Sequence, residues 1–244
     1  MHKVISCSIQ AITPLMNSVY QIFLSPEIGL VSHDATPLYY PGQYLELLIG
    51  DKKYAYSIAN YYEYGRLIEL HIRVSSKSVS AVKVLNYLES EGMVDANLGL
   101  GDCYIKYLPC HPVVFIVGGT GFSQAKSMIE YLFKYNFTHA IYLYWQVYKR
   151  ADLYLHGLAE AWQLDNPHFC YRPMVSSQSD LGDGSIVTSC KAIIQDVPDI
   201  SNVSVFASGS PDMVYAYYDA LIDNGANSAN FYSDVFAYAP RASA

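Results

Sequence analysis

Val113 to Met128 reads VVFIVGGTGFSQAKSM: five apolar residues run into Gly118-Gly119-Thr120-Gly121 and then into a helical pattern. A strand, a glycine-rich turn and a helix start in that order aim free backbone N–H groups and the positive end of a helix dipole at one point, a natural seat for a pyrophosphate. The pattern stops short of a full G-x-G-x-x-G, because Ser123 stands two residues after Gly121, so on its own it is equally a tight turn. A second element of the same kind lies in VSVFASGSPDMVYAYYDALIDNG, where a strand, Val203 to Ala207, precedes a helix. Ser210 is a good N-cap, Pro211 suits the first helical position, Asp212 complements the dipole and Gly225 stops the helix. A well-capped helix needs no ligand. Two such turns in one parallel sheet nevertheless point to a nucleotide site, since ligands in these sheets sit beyond the carboxyl ends of the strands.

The elements that must hold these turns fall into two halves. Up to about Lys106 the dominant period is two, as in QYLELLI (Gln43 to Ile49) and RLIELHIRV (Arg66 to Val74), which predicts half-buried antiparallel strands. One helical interruption, SVSAVKVLNYLESEG, ends at Gly92 as a helix stop should. Short strands at this spacing predict a small closed barrel. After Pro109 and Pro112 the pattern becomes VVFIV, a helix from about Phe122 to Tyr135, IYLYW, a helix from about Asp152 to Leu164, and a strand from Phe169 to Val175. Continuous apolar strands alternating with helices predict a parallel sheet covered on both faces. The expected architecture is an antiparallel β-barrel domain, 1–108, followed by a doubly wound α/β domain, 109–244.

Composition narrows the partners. Of 244 residues, 52% are hydrophobic and 15% charged, with 24 tyrosines, which describes a folded globular chain. A net charge of -7, from 15 basic and 22 acidic residues, opposes attraction to phosphate backbones, so nucleic acid is not expected. Neither a leader with an apolar core nor an apolar run long enough to span a bilayer is read, and the expected location is the cytoplasm. The five cysteines, Cys7, Cys103, Cys110, Cys170 and Cys190, are scattered without a C-x-x-C, and the seven histidines show no H-x-x-x-H, so no metal site is expected.

PGQYL (Pro41 to Leu45), YAYSIAN (Tyr54 to Asn60), ELHIRV (Glu69 to Val74), GGTGFS (Gly118 to Ser123), SGSPDMVYA (Ser208 to Ala216) and FYSDVFAYAPR (Phe231 to Arg241) follow one another in an order that resembles the ferredoxin-NADP reductase superfamily. Within it the chain looks like the small bacterial NAD(P)H:flavin oxidoreductases, over nearly its entire length. The resemblance implies a flavin-binding barrel, an NAD(P)-binding α/β domain, and hydride transfer from nicotinamide C4 to flavin N5 across the cleft between them. In the family the barrel motif R-x-[YF]-[ST] holds the flavin, which lays Tyr54, Ala55, Tyr56 and Ser57 along it, Tyr56 against the ring and Ser57 near N5. A serine suits that place because N5 changes from acceptor to donor on reduction. His71, Ile72 and Arg73 correspond to the strand beside the flavin's polar edge or tail, with Arg73 available to a flavin phosphate. Gly118, Gly119, Thr120 and Gly121 correspond to the nicotinamide turn, Thr120 near the reacting rings. Gly209, Ser210, Pro211 and Met213 lie beside the dinucleotide, and Phe236 and Tyr238 match the C-terminal aromatic region near the flavin.

Two departures modify these implications. The family's arginine falls at Tyr54, and a phenol offers no charge and at most one donor where a guanidinium offers several. The flavin, whether FAD, FMN or riboflavin, is therefore expected to bind weakly and to exchange as a substrate. After IYLYW the chain has Gln146-Val147-Tyr148-Lys149-Arg150 in place of a glycine-containing turn, and with Asp152 close by, the residues do not choose between NADH and NADPH. The electron acceptor is open between free flavin, a separate ferredoxin and an oxygenase component. The competing expectation is a protein that keeps the reductase fold and binds a nucleotide or partner without turnover.

Overall fold

A computed structural model describes residues 4–27, 37–75, 78–176 and 186–241. The remaining parts of the two expected domains lie outside the described residues. The first half supplies β1 (Val4–Pro14), β2 (Val19–Pro26), β3 (Tyr44–Ile49), β4 (Lys52–Ser57), β5 (Ile68–Arg73), helix α1 (Val79–Glu91) and β6 (Met93–Leu100). The six strands form one antiparallel sheet in the order β4-β3-β6-β1-β2-β5. A bridge between Ile58 and Leu70, with the Ala59 N–H donating to the Glu69 carbonyl at 2.7 Å, brings its two edges together, as the expected closed barrel requires. Gly92, at φ 67°, ends α1 in the left-handed conformation that a glycine adopts without steric cost.

The second half supplies β7 (Val113–Gly118), α2 (Phe122–Lys134), β8 (Ile141–Val147), α3 (His156–Asp165), β9 (Phe169–Val175), α4 (Ile186–Asp196), β10 (Ser204–Ser208), α5 (Pro211–Asp223), β11 (Phe231–Tyr232) and α6 (Val235–Tyr238). Its five strands form a parallel sheet in the order β11-β10-β7-β8-β9. Val113 to Val117 are all buried, because alternate side chains enter two separate clusters on opposite faces of this sheet. No described helix is long and apolar enough to cross a membrane.

Two expectations need correction. β3 alternates as expected, but β5 does not: Ile68, Glu69, Leu70, His71 and Ile72 are all buried. Its apolar residues enter the barrel core, while its polar face is covered by the α/β half rather than by water. The helix expected from Asp152 begins instead at His156. Arg150–Asp152 form one turn of 3-10 helix, where the Lys149 N–H donates to the Asp152 carboxylate at 3.1 Å, and Tyr154 turns inward to near-complete burial.

Helix α2 shows why the halves hold together. Every residue from Phe122 to Ile129 is buried, far more than one packed face accounts for. Phe122, Ala125, Met128, Ile129 and Leu132 enter the core against the parallel sheet. Ser123, Gln124, Lys126 and Ser127 are buried as well, and three of them bond the barrel directly. Gln124 Nε2 donates to the Gly42 carbonyl at 2.7 Å, and the Gly42 N–H donates to Ser127 Oγ at 2.8 Å.

Candidate active site

Three neighbouring hollows run along the seam between barrel and parallel sheet. The first, about 680 Å³, lies between Tyr44, Ala55 to Ser57 and Gly101 on one side and Ser208, Gly209, Asp234 and Tyr238 on the other. The second, about 430 Å³, shares Ala55, Tyr56, Ser57, Ser208 and Gly209 with the first and adds Arg73, Gly118, Thr120, Gly121 and Ser210. The third, about 520 Å³, shares Arg73 with the second and reaches Gly119, Gln146 to Lys149, Asp152 and Ser176. The groove thus passes the carboxyl ends of β7, β8 and β10, where a doubly wound sheet receives its ligand.

Strand register decides which barrel side chains face it. Tyr54 pairs with Leu47 and Tyr56 with Leu45, both fully buried, so the two tyrosines share one face and pack against the barrel core, Tyr56 also lining the first two hollows and Tyr54 lining none of the three. Burial pushes the Tyr56 phenol up to about 12, which keeps it neutral. Ala55 and Ser57 take the opposite face, beside Glu46 and Tyr44. Ser57 lines the first two hollows and stands across the second from Thr120 and Gly121.

The two glycine turns form the other wall, and they touch each other. A Cβ on Gly121 would meet the Ser208 carbonyl oxygen at 2.4 Å, and one on Gly118 would meet Met213 Sδ at 2.7 Å. Met213 therefore acts as a plug between Gly118 and Gly209 rather than as a groove wall. Gly119, at φ 53°, is held by its carbonyl, which accepts from Trp145 Nε1 at 2.9 Å. The starts of α2 and α5 differ: Ser210 accepts from the Met213 N–H at 3.4 Å, whereas no side chain caps α2. α2 grows directly out of one turn of 3-10 helix, Gly119–Gly121, and the Phe122 N–H donates back to the Gly119 and Thr120 carbonyls, so the turn itself is the first backbone that a carboxamide or phosphate oxygen would meet.

Other sequence-derived candidates are placed differently. Ile72 is buried in the barrel core and Phe236 packs on Tyr215, Tyr218 and Phe231, so neither side chain reaches the groove. Tyr238 does, leaving Tyr238 as the aromatic residue available to shield a ring. Pro211 opens α5 behind Ser210. Arg73 lines the groove, but its guanidinium donates to Asp152 Oδ1 at 2.7 Å across the seam, engaged by a carboxylate rather than free for a phosphate. His71 is 4% exposed and lies beneath the second hollow, with its ring nitrogens bonded to Glu69 and Tyr154.

Asp234 is a site residue that sequence reading missed. Its Oδ1 accepts from the N–H groups of Asp102 and Cys103 at 3.2 and 3.3 Å, and its Oδ2 from Gln124 Nε2 at 2.8 Å. Burial raises its carboxyl above the ordinary range against these hydrogen bonds. It ties α6 and α2 to the barrel end at the first hollow. The one available signal was an acid within SDVFAY, and its three donors come from segments more than a hundred residues away.

Comparison with known proteins agrees with the two-domain fold. Residues 115–219 match the family model described as the oxidoreductase NAD-binding domain. The chain is 30% identical over 218 residues to the CDP-6-deoxy-L-threo-D-glycero-4-hexulose-3-dehydrase reductase of Yersinia pestis, covering 88% of this chain but only 66% of that protein's length. It is 29% identical over 243 residues to the NAD(P)H-flavin reductase of Vibrio harveyi, covering 96% of this chain and 99% of that one. Among solved structures, the cytochrome b5 reductase domain of Ulva prolifera nitrate reductase superposes with a TM-score of 0.78 at 15% identity, covering 94% of this chain and 96% of that one.

Proposed function

Because the chain belongs to the ferredoxin-NADP reductase superfamily as a flavin-reductase-like member, we propose that it is an NAD(P)H:flavin oxidoreductase that reduces flavin as an exchanging substrate. The observation that carries this reading is the meeting of Ser57, Gly118, Thr120, Gly121 and Ser208 to Ser210 around one hollow. A flavin bound on the barrel side would accept the nicotinamide hydride at N5. Ser57 offers that side a hydroxyl able to donate or accept, so it follows a ring nitrogen through its change of role. Across from it, the absence of side chains at Gly118 and Gly121 lets the two glycine turns close on each other, and the backbone of the Gly119–Gly121 turn orients the nicotinamide half of the dinucleotide. Tyr238, exposed at the first hollow, is the aromatic residue that would cover a flavin ring there.

The third hollow takes the far end of the nucleotide. Asp152 there is already engaged by Arg73 and by the Lys149 N–H, and with the Arg73 guanidinium held by that carboxylate, Lys149 is the cation an added phosphate would meet. On the flavin side, Tyr54 sits beside Leu47 against the barrel core and presents no charge, which supports release of the flavin after reduction. Free flavin is then the carrier to a downstream acceptor, and we place the reaction in the cytoplasm, a setting in keeping with the five unpaired thiols. Mixing the purified protein with NADH or NADPH and riboflavin, FMN or FAD, and following the reduced-nicotinamide absorbance, tests the activity. No flavin-dependent loss with any pair refutes it.

A further inference from the structure

Beneath the second hollow lies a buried polar chain that crosses from barrel to α/β half. Glu69 and His71, on the covered face of β5, are 4% exposed each. Glu69 is an ionised acceptor, so His71 Nε2–H donates to it at 2.8 Å, and His71 Nδ1 is left to accept from the Tyr154 hydroxyl at 2.9 Å. Ser123 Oγ lies 3.4 Å from the same hydroxyl. Burial lowers the His71 pKa, which keeps the imidazole in the neutral form this pattern needs.

Tyr154 is also the edge of an aromatic stack. Its ring stands nearly perpendicular to Trp145 at 5.3 Å and to Phe122 at 6.0 Å, and those two rings lie parallel at 3.9 Å. Trp145 holds the Gly119 carbonyl, and Phe122 follows Gly121 directly. One hydroxyl therefore connects a barrel strand to the two rings that grip the glycine turn.

Building on the oxidoreductase reading above, we propose that His71 and Tyr154 are positioning residues: their hydrogen bond sets the height of the Gly118–Gly121 turn opposite Ser57, and with it the gap a hydride must cross. Both act through the turn: Tyr154 lines none of the three hollows, and His71, which borders the second, has both ring nitrogens engaged by Glu69 and Tyr154. Tyr154→Phe removes the bond and keeps the aromatic stack, so it tests the pin without emptying the core. In single-turnover stopped flow the variant is expected to transfer hydride about 10- to 100-fold more slowly, the scale of a small misplacement, with KM for nicotinamide and flavin nearly unchanged. In the free protein, amide exchange at 118–122 should rise several-fold while α4 and α5 keep wild-type protection. His71→Asn, which retains an acceptor near the Nδ1 position, should recover part of the rate lost in His71→Ala, and Tyr154→Phe added to His71→Ala should cost little more. A wild-type hydride-transfer rate in Tyr154→Phe, or exchange that is unchanged or accelerates equally throughout the chain, overturns the proposal. Wild-type protein inert toward every nucleotide and flavin pair refutes the activity instead, and leaves the exchange measurement to decide on the pin.

Discussion

Lys126→Met is the substitution whose consequence the structure specifies most fully. The Lys126 ammonium is 6% exposed and spends its three donors on Glu69 Oε2 at 2.8 Å, Glu130 Oε1 at 2.8 Å and the Ala59 carbonyl at 3.1 Å. Burial alone would raise the Glu69 carboxyl, but the His71 hydrogen bond and the Lys126 charge outweigh it and hold the pKa at about 2. Against the ordinary value of 4.5, that depression is worth roughly 3 kcal/mol of folding free energy. Because the folded pKa is the lower one, the contribution is complete above pH 4.5 and is lost as the pH falls toward 2. Methionine fills similar volume but strands the Glu69 charge in a buried site, and breaking a buried pair in this way costs about 3–5 kcal/mol. Urea unfolding followed by circular dichroism should show that loss at pH 7, and the gap from wild type should narrow as the pH drops below 4.5, since a protonated Glu69 no longer needs a cation. Lys134→Met, which removes an exposed partner of Glu63, should leave the urea midpoint in place. A Lys126→Met penalty below about 1 kcal/mol, or one constant with pH, would refute the assignment of Glu69 as a buried anion held by Lys126.

Ser57→Ala should lower the hydride-transfer rate by about tenfold, the scale of one lost hydrogen bond, and an unchanged rate removes Ser57 from the mechanism. Tyr54→Arg should tighten flavin binding by about tenfold, read from quenching of flavin fluorescence; unaltered affinity would mean that position 54 does not see the flavin's phosphate. Gly121→Ala drives a methyl into the Ser208 carbonyl at 2.4 Å and should lower both the melting temperature and nicotinamide affinity, whereas Gly157→Ala, which meets nothing within 4 Å and lies in the first turn of α3, should leave the melting temperature unchanged or slightly raised. Equal melting temperatures for those two variants would contradict the close contact of the two glycine turns.

Local sequence carried a good deal of this. The strand VVFIV, the Ser210-Pro211 helix start, the Gly92 stop and the order of the two turns all depend on neighbours within a few residues, and the structure realises each of them. What stayed illegible depends on distance along the chain. Alternation made RLIELHIRV a half-buried strand and could not show that Glu69 and His71 are covered, because their partners, Lys126 and Tyr154, lie 57 and 83 residues onward. Arg73 read as an unengaged cation for the same reason, its carboxylate standing 79 residues away. Phe236 and Tyr238 could not be ranked from sequence, since two aromatics two apart in a four-residue helix carry no period that says which of them is covered.

Helix α2 is a party wall. Its apolar stripe belongs to the parallel sheet and its polar stripe to the barrel, so neither half owns it. Separating the chain at the linker would uncover a buried lysine and glutamine of one fragment where they bond the barrel, and leave a glutamate and histidine without their cross-seam partners in the other. A barrel prepared alone is therefore expected to be a poorer flavin binder than the intact chain, though every barrel residue along the groove would still be present.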